Sequence, residues 1–371
     1  MRIIHIALGK ANPERMNGVN KVVHQLASTQ KALGYEVELW GIANDLEPTY
    51  PNRNFSTTLF QQNKNKSIDP ELISAIHQLS KDTIVHLHGA FILEFFKITN
   101  LLTKQGIPYV FTPHGSFAEA AMEKNKWMKK IYFQLLEKRL IKNAKAVQLL
   151  GINEFTHLGK LVESDNKKLI PNGIDLKKIP LAKNESKSSD FIFGFCGRID
   201  TYHKGLDLLL KGFKIFTDKG GYGRLELIGD GKDRPKLQQF AQQLGIADRV
   251  IFHGALFGQA KFDVLYSFDV FLHTSRMEGF PMAVLEAAAL SIPCLTSEAT
   301  NVNSYIQKYD AGFTLPVNIP ASIASAMESA AFMHKYDVQQ LQKKGVNARK
   351  MVENSFDWKN IAEELVETYA S

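Results

Sequence analysis

The chain has 371 residues, 44% of them hydrophobic and 22% charged, enough apolar material for two ordinary domain cores. No stretch approaches the roughly 18 uninterrupted apolar residues of a membrane span, and the opening MRIIHIALGK holds too short an apolar run for a secretion signal, so a cytoplasmic location is expected. A formal net charge of +7 and a pI near 9.1 favour anionic partners such as nucleotides, phosphate-bearing substrates or acidic lipid surfaces, without choosing among them.

Short runs rich in Val, Ile and Phe alternate with longer helical patterns along the whole chain, which predicts an α/β protein with parallel sheets. In the first half the expected strands are Arg2–Leu8, Glu36–Gly41, Ile84–Gly89, Tyr109–Thr112 and Ala146–Leu150. Helices are expected at Asn20–Leu33, Pro70–Leu79 and Lys124–Leu140. The last of these opens a basic run, with Lys124, Lys126, Lys129, Lys130, Lys138, Arg139, Lys142 and Lys145 set against the single acid Glu137. Trp127, Ile131 and Leu135 recur in it every four residues, an amphipathic pattern. That stripe either packs on the core beneath a solvated face, or touches the inner face of a membrane at residues 124–145. Aromatic residues do not interleave with the cations as in a single-strand binder, so no nucleic-acid partner is expected.

A second series of strands is expected at Phe191–Cys196, Leu225–Ile228, Val250–His253, Val270–His273 and Pro293–Thr296. The polar, aperiodic KNESKSSD of Lys183–Asp190 lies between the two series and reads as a linker or exposed loop. The expectation is two Rossmann-like, doubly wound domains facing a cleft, residues 1–175 and 176–355, with ligands in the loops after the strands. Cys196 and Cys294 fit neither a zinc site nor a redox pair and read as buried thiols.

The most informative segment is Leu272–Leu290, LHTSRMEGFPMAVLEAAAL. An apolar strand enters a loop carrying Glu278, Gly279, Phe280 and Pro281, and a helix follows from Met282. Amides at such a helix start favour anions, and Glu286, one turn in, leans back toward the same ligand. Two acceptor-only carboxylates suit sugar hydroxyls. In FCGRIDTYHKG, Arg198 follows a strand and Lys204 opens a helix, an arrangement able to clamp a diphosphate between two fixed cations.

Glu278 and Glu286 with the intervening GFPMAVL resemble the E-x7-E motif of the GT-B-fold retaining glycosyltransferases of family 4 (glycosyltransferase group 1). The resemblance implies that Glu278 and the amides after it contact the donor sugar, that Glu286 binds the ribose hydroxyls, and that Arg198 and Lys204 neutralise the leaving group. GKANPERMNGV after the first strand resembles the family's Gly-Gly loop near the donor phosphates, with Asn17 in place of the first Gly and Gly18 as the second. His114, in FTPHGSF, corresponds to a family His that hydrogen-bonds the donor sugar or orients the acceptor. IPNGID at Ile170–Asp175 and GINE at Gly151–Glu154 resemble architectural turns, with Glu154 a candidate acceptor-side or hinge residue. Residues 356–371 resemble the terminal helix that crosses back onto the first domain.

His86 and His88 share a strand face, so one of them is a candidate for a structural role, and with His114 they form a conceivable metal set. The chain has no Asp-x-Asp sequence, and no metal or other cofactor is expected. Retention of anomeric configuration follows from the family alone. The expected donor is a UDP-linked hexose or N-acetylhexosamine, with GDP-mannose second, and the expected acceptor a saccharide or lipid-linked saccharide of cell-surface polysaccharide assembly. A nucleotide-sugar epimerase of the same fold and a non-catalytic nucleotide-sugar-binding protein are the rival readings.

Overall fold

The computed structural model describes residues 1–14, 18–123, 125–180 and 190–371. Asn17, Lys124 and all of the expected linker except Asp190 lie outside them. The described chain divides into two compact units, Met1–Gly173 with Trp358–Ser371, and Ile174–Asp357.

In the first unit β1 (Arg2–Leu8), β2 (Glu36–Ala43), β3 (Ser56–Gln61), β4 (Thr83–His88), β5 (Tyr109–Thr112), β6 (Ala146–Leu149) and β7 (Lys167–Leu169) form one parallel sheet. Its strand order is β3-β2-β1-β4-β5-β6-β7. Every residue of β4 and β5 is buried, as expected where helices cover both faces of a parallel sheet. The core gathers Ile4, Ile6, Val85, Leu87, Phe95, Phe111 and Phe117.

The second unit repeats the plan with β8 (Ile192–Cys196), β9 (Arg224–Ile228), β10 (Val250–Gly254), β11 (Val270–His273), β12 (Cys294–Thr296) and β13 (Gly312–Thr314), in the order β10-β9-β8-β11-β12-β13. Phe191, Phe193, Phe213 and Phe216 dominate its core. Cys196 and Cys294 are both buried, and neither is in a disulfide.

Three strands escape the sequence pattern, and each lies at a sheet edge. β3 is the polar STTLFQ, while β7 and β13 have three residues each. Edge strands need neither length nor a continuous apolar run, because only one flank pairs.

The helix expected over Lys124–Leu140 is broken. It runs as Lys126–Tyr132, a π-helical turn Phe133–Glu137, and Lys138–Asn143. The wide turn shifts the phase, so Phe133, Glu137, Leu140 and Ile141 face inward. The expected packing stripe is instead exposed, Trp127 at 78%, Ile131 at 60% and Leu135 at 69%, which removes the reading in which it packs on the core.

The helix Trp358–Ala370 belongs to the first unit. Trp358 Nε1 donates to Gln25 Oε1 at 2.8 Å, and Tyr369 sits buried beside Gln30 and His86. Among the described residues no helix is long and apolar enough to cross a membrane.

Candidate active site

In the second sheet the strand order reverses between β8 and β11, so their two following loops border the crevice where open α/β sheets bind ligands. Backbone contacts bring these loops together. The amides of Arg276 and Met277 both donate to the His203 carbonyl, and the Arg276 guanidinium makes a two-pronged 2.7 Å pair with Asp207. Gly205 has φ +63°, and a Cβ there would lie 2.0 Å from the Thr274 carbonyl oxygen, so only glycine allows this approach.

The result is a tight polar cluster. Glu278 Oε1 accepts from Lys204 Nζ, from His273 Nε2 at 2.7 Å and from Ser275 Oγ at 3.0 Å. Burial alone would push the Glu278 carboxyl up, but the Lys204 ammonium and the His273 and Lys204 hydrogen bonds prevail and hold it well below the usual carboxylate range. Burial lowers His273 against the opposing pull of Glu278, and its ring lies stacked against Phe195 and Phe271. Lys204, expected to pair with Arg198 as a clamp, is therefore already tied to Glu278. Arg198 is exposed and makes no side-chain hydrogen bond or ion pair among the described residues.

Asn301 Nδ2 donates to the carbonyls of Glu278 at 3.3 Å and Gly279 at 2.9 Å, fixing the loop just before the helix Met282–Ala289. Pro281 caps that helix without a side-chain bond, and the Val284 amide turns back to the Pro281 carbonyl at 3.1 Å. Phe280 is buried against Phe356, which leaves its backbone rather than its ring for a ligand. Glu286, expected to meet a ribose, pairs with Lys261 Nζ at 2.8 Å, and both side chains are largely buried.

In the first unit His114 follows β5 in a left-handed conformation, φ 54°. Its loop is held by Glu154, whose Oε1 accepts from Phe117 N at 3.1 Å, and by His157 Nδ1, 2.6 Å from the Phe117 carbonyl. Burial pushes Glu154 up to about 7 against the pull of the backbone amides. Glu137 is likewise pushed up by burial to about 7, against the pull of the Phe91 amide. His114 Nε2 lies 3.2 Å from His88 Nδ1, and His5, His86 and His88 bring ring nitrogens within 4.8 Å of one another. This buried trio, with His5 rather than His114, is the group of ligand type among the described residues that could hold a metal. Gly18 opens the helix Gly18–Ala32, and Lys10 after β1 is buried on Asp45 and the Glu47 carbonyl.

Two family models match consecutive parts of the chain, "Glycosyltransferase Family 4" at residues 16–178 and "Glycosyl transferases group 1" at residues 178–350. The chain belongs to the family 4, group 1 glycosyltransferases. It is 27% identical over 216 residues to the capsular polysaccharide biosynthesis glycosyltransferase CapM of Staphylococcus aureus, covering 53% of this chain and 52% of CapM. The chain thus spans about half the length of that curated relative.

Solved structures of GT-B fold resemble this glycosyltransferase over its whole length. Sucrose-phosphate synthase from Thermosynechococcus elongatus matches with a TM-score of 0.80 at 19% identity, covering all of this chain and 98% of that one. HepE of Anabaena in complex with UDP matches with a TM-score of 0.77 at 16% identity and full coverage of both.

Within this family member, sequence reasoning named Glu278 and Lys204 separately, and the fold joins them. It missed His273, Ser275, Asn301 and Lys261. His273 ends β11 five residues before Glu278, a signal that was available. Lys261 comes from the helix Gly258–Tyr266, and nothing local connects it to Glu286.

Proposed function

We propose that this glycosyltransferase moves a hexose or N-acetylhexosamine from a nucleoside diphosphate sugar, a UDP-sugar first and GDP-mannose second, to a hydroxyl of a saccharide or lipid-linked saccharide in cell-surface polysaccharide assembly. The observation that carries the reading is the Lys204–Glu278 cluster at the end of β11, with Arg198 in the neighbouring loop. A diphosphate entering this crevice meets Lys204, already drawn into the site, and Arg198, whose guanidinium makes no hydrogen bond or ion pair among the described residues. Both cations oppose the charge that grows on the leaving phosphate, and their effect is greatest in the transition state. Ionised Glu278, fixed by three donors, is an acceptor matched to sugar hydroxyls. The UDP in HepE supports the choice of base.

In the reaction the bond from the anomeric carbon to the phosphate oxygen breaks, the acceptor oxygen bonds to that carbon on the same face, and the acceptor proton passes to the leaving phosphate. The configuration is retained, and no metal is required. The test is calorimetry with UDP, GDP, ADP and their sugar conjugates under EDTA. Tight binding of one nucleotide is expected, followed by a retained anomeric configuration in the product by NMR. No binding, even after Mg²⁺ is restored, sinks the donor-site assignment, and turnover without nucleotide release points to an epimerase.

The acceptor side is read at an anionic membrane surface. Trp127, Met128, Ile131 and Leu135 are exposed together on the segment carrying Lys126, Lys129, Lys130 and Lys138. Apolar side chains that enter the headgroup boundary beside lysines are the chemistry of an interfacial contact with acidic lipid.

A further inference from the structure

The buried histidines of the first unit form part of one continuous hydrogen-bond chain, and the chain has a direction. Strand register sets His5 of β1 opposite His86 of β4 and Ala7 opposite His88, so the three rings meet on one face of the sheet. Direction enters at a backbone carbonyl, which only accepts. Gln148 Nε2 donates to the Ile170 carbonyl at 3.1 Å, which turns Gln148 Oε1 toward Thr112 Oγ1, 2.7 Å away. The single hydroxyl proton of Thr112 is committed there, so the contact of Thr112 Oγ1 with His86 Nε2 at 2.6 Å makes that nitrogen the N–H donor.

Each step now fixes the next. A neutral His86 with its proton on Nε2 has a lone pair on Nδ1, which takes the Tyr369 hydroxyl proton at 2.6 Å. Tyr369 has no second proton, so Gln30 donates to it from Nε2 at 3.2 Å, leaving Gln30 Oε1 to accept from His5 Nε2 at 2.7 Å. His5 Nδ1 then accepts from His88 Nε2 at 2.9 Å, and His88 Nδ1 accepts from His114 Nε2 at 3.2 Å. His114 Nδ1 ends the chain with its lone pair unused and no hydrogen-bond partner among the described residues. Neutrality of the rings follows from their packing: His5, His86 and His88 are buried against one another, and no carboxylate among the described residues hydrogen-bonds to them or to His114, in keeping with burial lowering all four below the ordinary histidine range.

We propose that this relay holds His114 as its Nε2–H tautomer, so that Nδ1 is offered as a hydrogen-bond acceptor to a ligand hydroxyl, and that Tyr369 of the last helix is the positioning residue that transmits the setting. An acceptor nitrogen receives a sugar O–H and repels a phosphate or carboxylate oxygen, so the device selects for the carbohydrate part of the substrate. That the ligand is a sugar rests on the glycosyltransferase reading, whereas the tautomer does not. The same directionality answers the metal question, because every lone pair on His5, His86 and His88 is already taken by a neighbouring proton.

The test is a long-range ¹H–¹⁵N correlation spectrum of the full chain labelled in histidine, with His114 assigned from the His114→Asn variant. His5, His86, His88 and His114 are all expected to show a protonated Nε2 and a bare Nδ1, unchanged by EDTA. Tyr369→Phe keeps the ring but removes the proton that sets the direction, and Thr112→Val removes the anchor. In each variant the His5, His88 and His114 signals should become mixtures of tautomers while far-UV circular dichroism stays native. A protonated Nδ1 on His114 in the unaltered protein overturns the proposal, as do EDTA-sensitive signals, or variants that leave the pattern intact. On the functional side Tyr369→Phe should lower kcat/KM for the donor about tenfold, the worth of one hydrogen bond, with UDP affinity unchanged. Absence of UDP binding in the unaltered protein would count against the donor reading while the spectrum still decides the relay.

Discussion

Glu278→Gln isolates the charge at the centre of the candidate site while keeping its shape. Glu278 Oε1 receives three donors, and the side chains of Glu278 and Lys204 are only 12% and 18% exposed. Glutamine retains an acceptor oxygen, so the loss is chiefly the attraction between carboxylate and ammonium, which is about 4 kcal/mol at a few ångströms in a partly screened site. Relief from desolvating the carboxylate offsets part of this, leaving a net destabilisation of about 2–3 kcal/mol. At about 2–4 °C per kcal/mol for a unit of this size, the transition of the second unit should fall by roughly 5–10 °C in scanning calorimetry near neutral pH.

The pH dependence provides an independent check. The folded carboxyl is held below its unfolded value of 4.5. The stabilisation is therefore fully present above about pH 4.5 and is lost as pH falls toward the folded value. The gap between variant and parent should narrow on acidification. A shift under about 0.5 kcal/mol at neutral pH, or a gap that widens in acid, would refute the account of the cluster.

Lys204→Ala and Arg198→Ala should each lower kcat about 10²–10³-fold with a smaller rise in donor KM, since their charge acts on the leaving phosphate, and steady-state kinetics separates the two effects. Glu286→Ala should weaken UDP binding by about tenfold in calorimetry; unchanged affinity would remove Glu286 from the nucleotide site and leave it as the partner of Lys261. Glu137 and Glu154, both raised to about 7 by burial, favour the folded first unit below pH 4.5 and lose that advantage as pH rises through 7. Glu154→Gln should therefore make the stability of that unit less dependent on pH between about 4.5 and 7, as read from denaturant midpoints. Trp127→Ser with Ile131→Ser should reduce sedimentation with vesicles containing anionic lipid while leaving UDP affinity unchanged, and equal sedimentation would exclude this face as the contact.

Much of the fold was legible because interior strands of parallel sheets are long and apolar. β1, β2, β4, β5, β6, β8, β9, β11 and β12 all stand where the pattern put them, within a few residues at their ends, and so does β10, an edge strand that still carries the apolar VIF. β3, β7 and β13 were not legible, because an edge strand such as STTLFQ is stabilised by one neighbour and carries no periodic signal of its own. The apolar stripe Trp127–Leu135 illustrates a different limit. A spacing of four residues shows that side chains share a face but not which face packs: no residue of Lys126–Tyr132 is buried, and the inward positions are Phe133 and Glu137 of the π-helical turn and Leu140 and Ile141 beyond it.

The sequence by itself determined the family, the two-unit α/β plan, the placing of Glu278, Arg198, Lys204 and His114 in loops after strands and that of Glu286 one turn into the following helix, because those depend on local order and spacing. Only the tertiary structure decided which of them meet. Lys204 and Glu278 lie 74 residues apart, and they touch because Gly205 lets one loop press against the backbone of the other. His86 and Tyr369 lie 283 residues apart, and their hydrogen bond exists because the last helix packs on the first unit. Contacts between distant segments are set by how sheets and helices pack, and packing is a property of the whole chain rather than of any window along it.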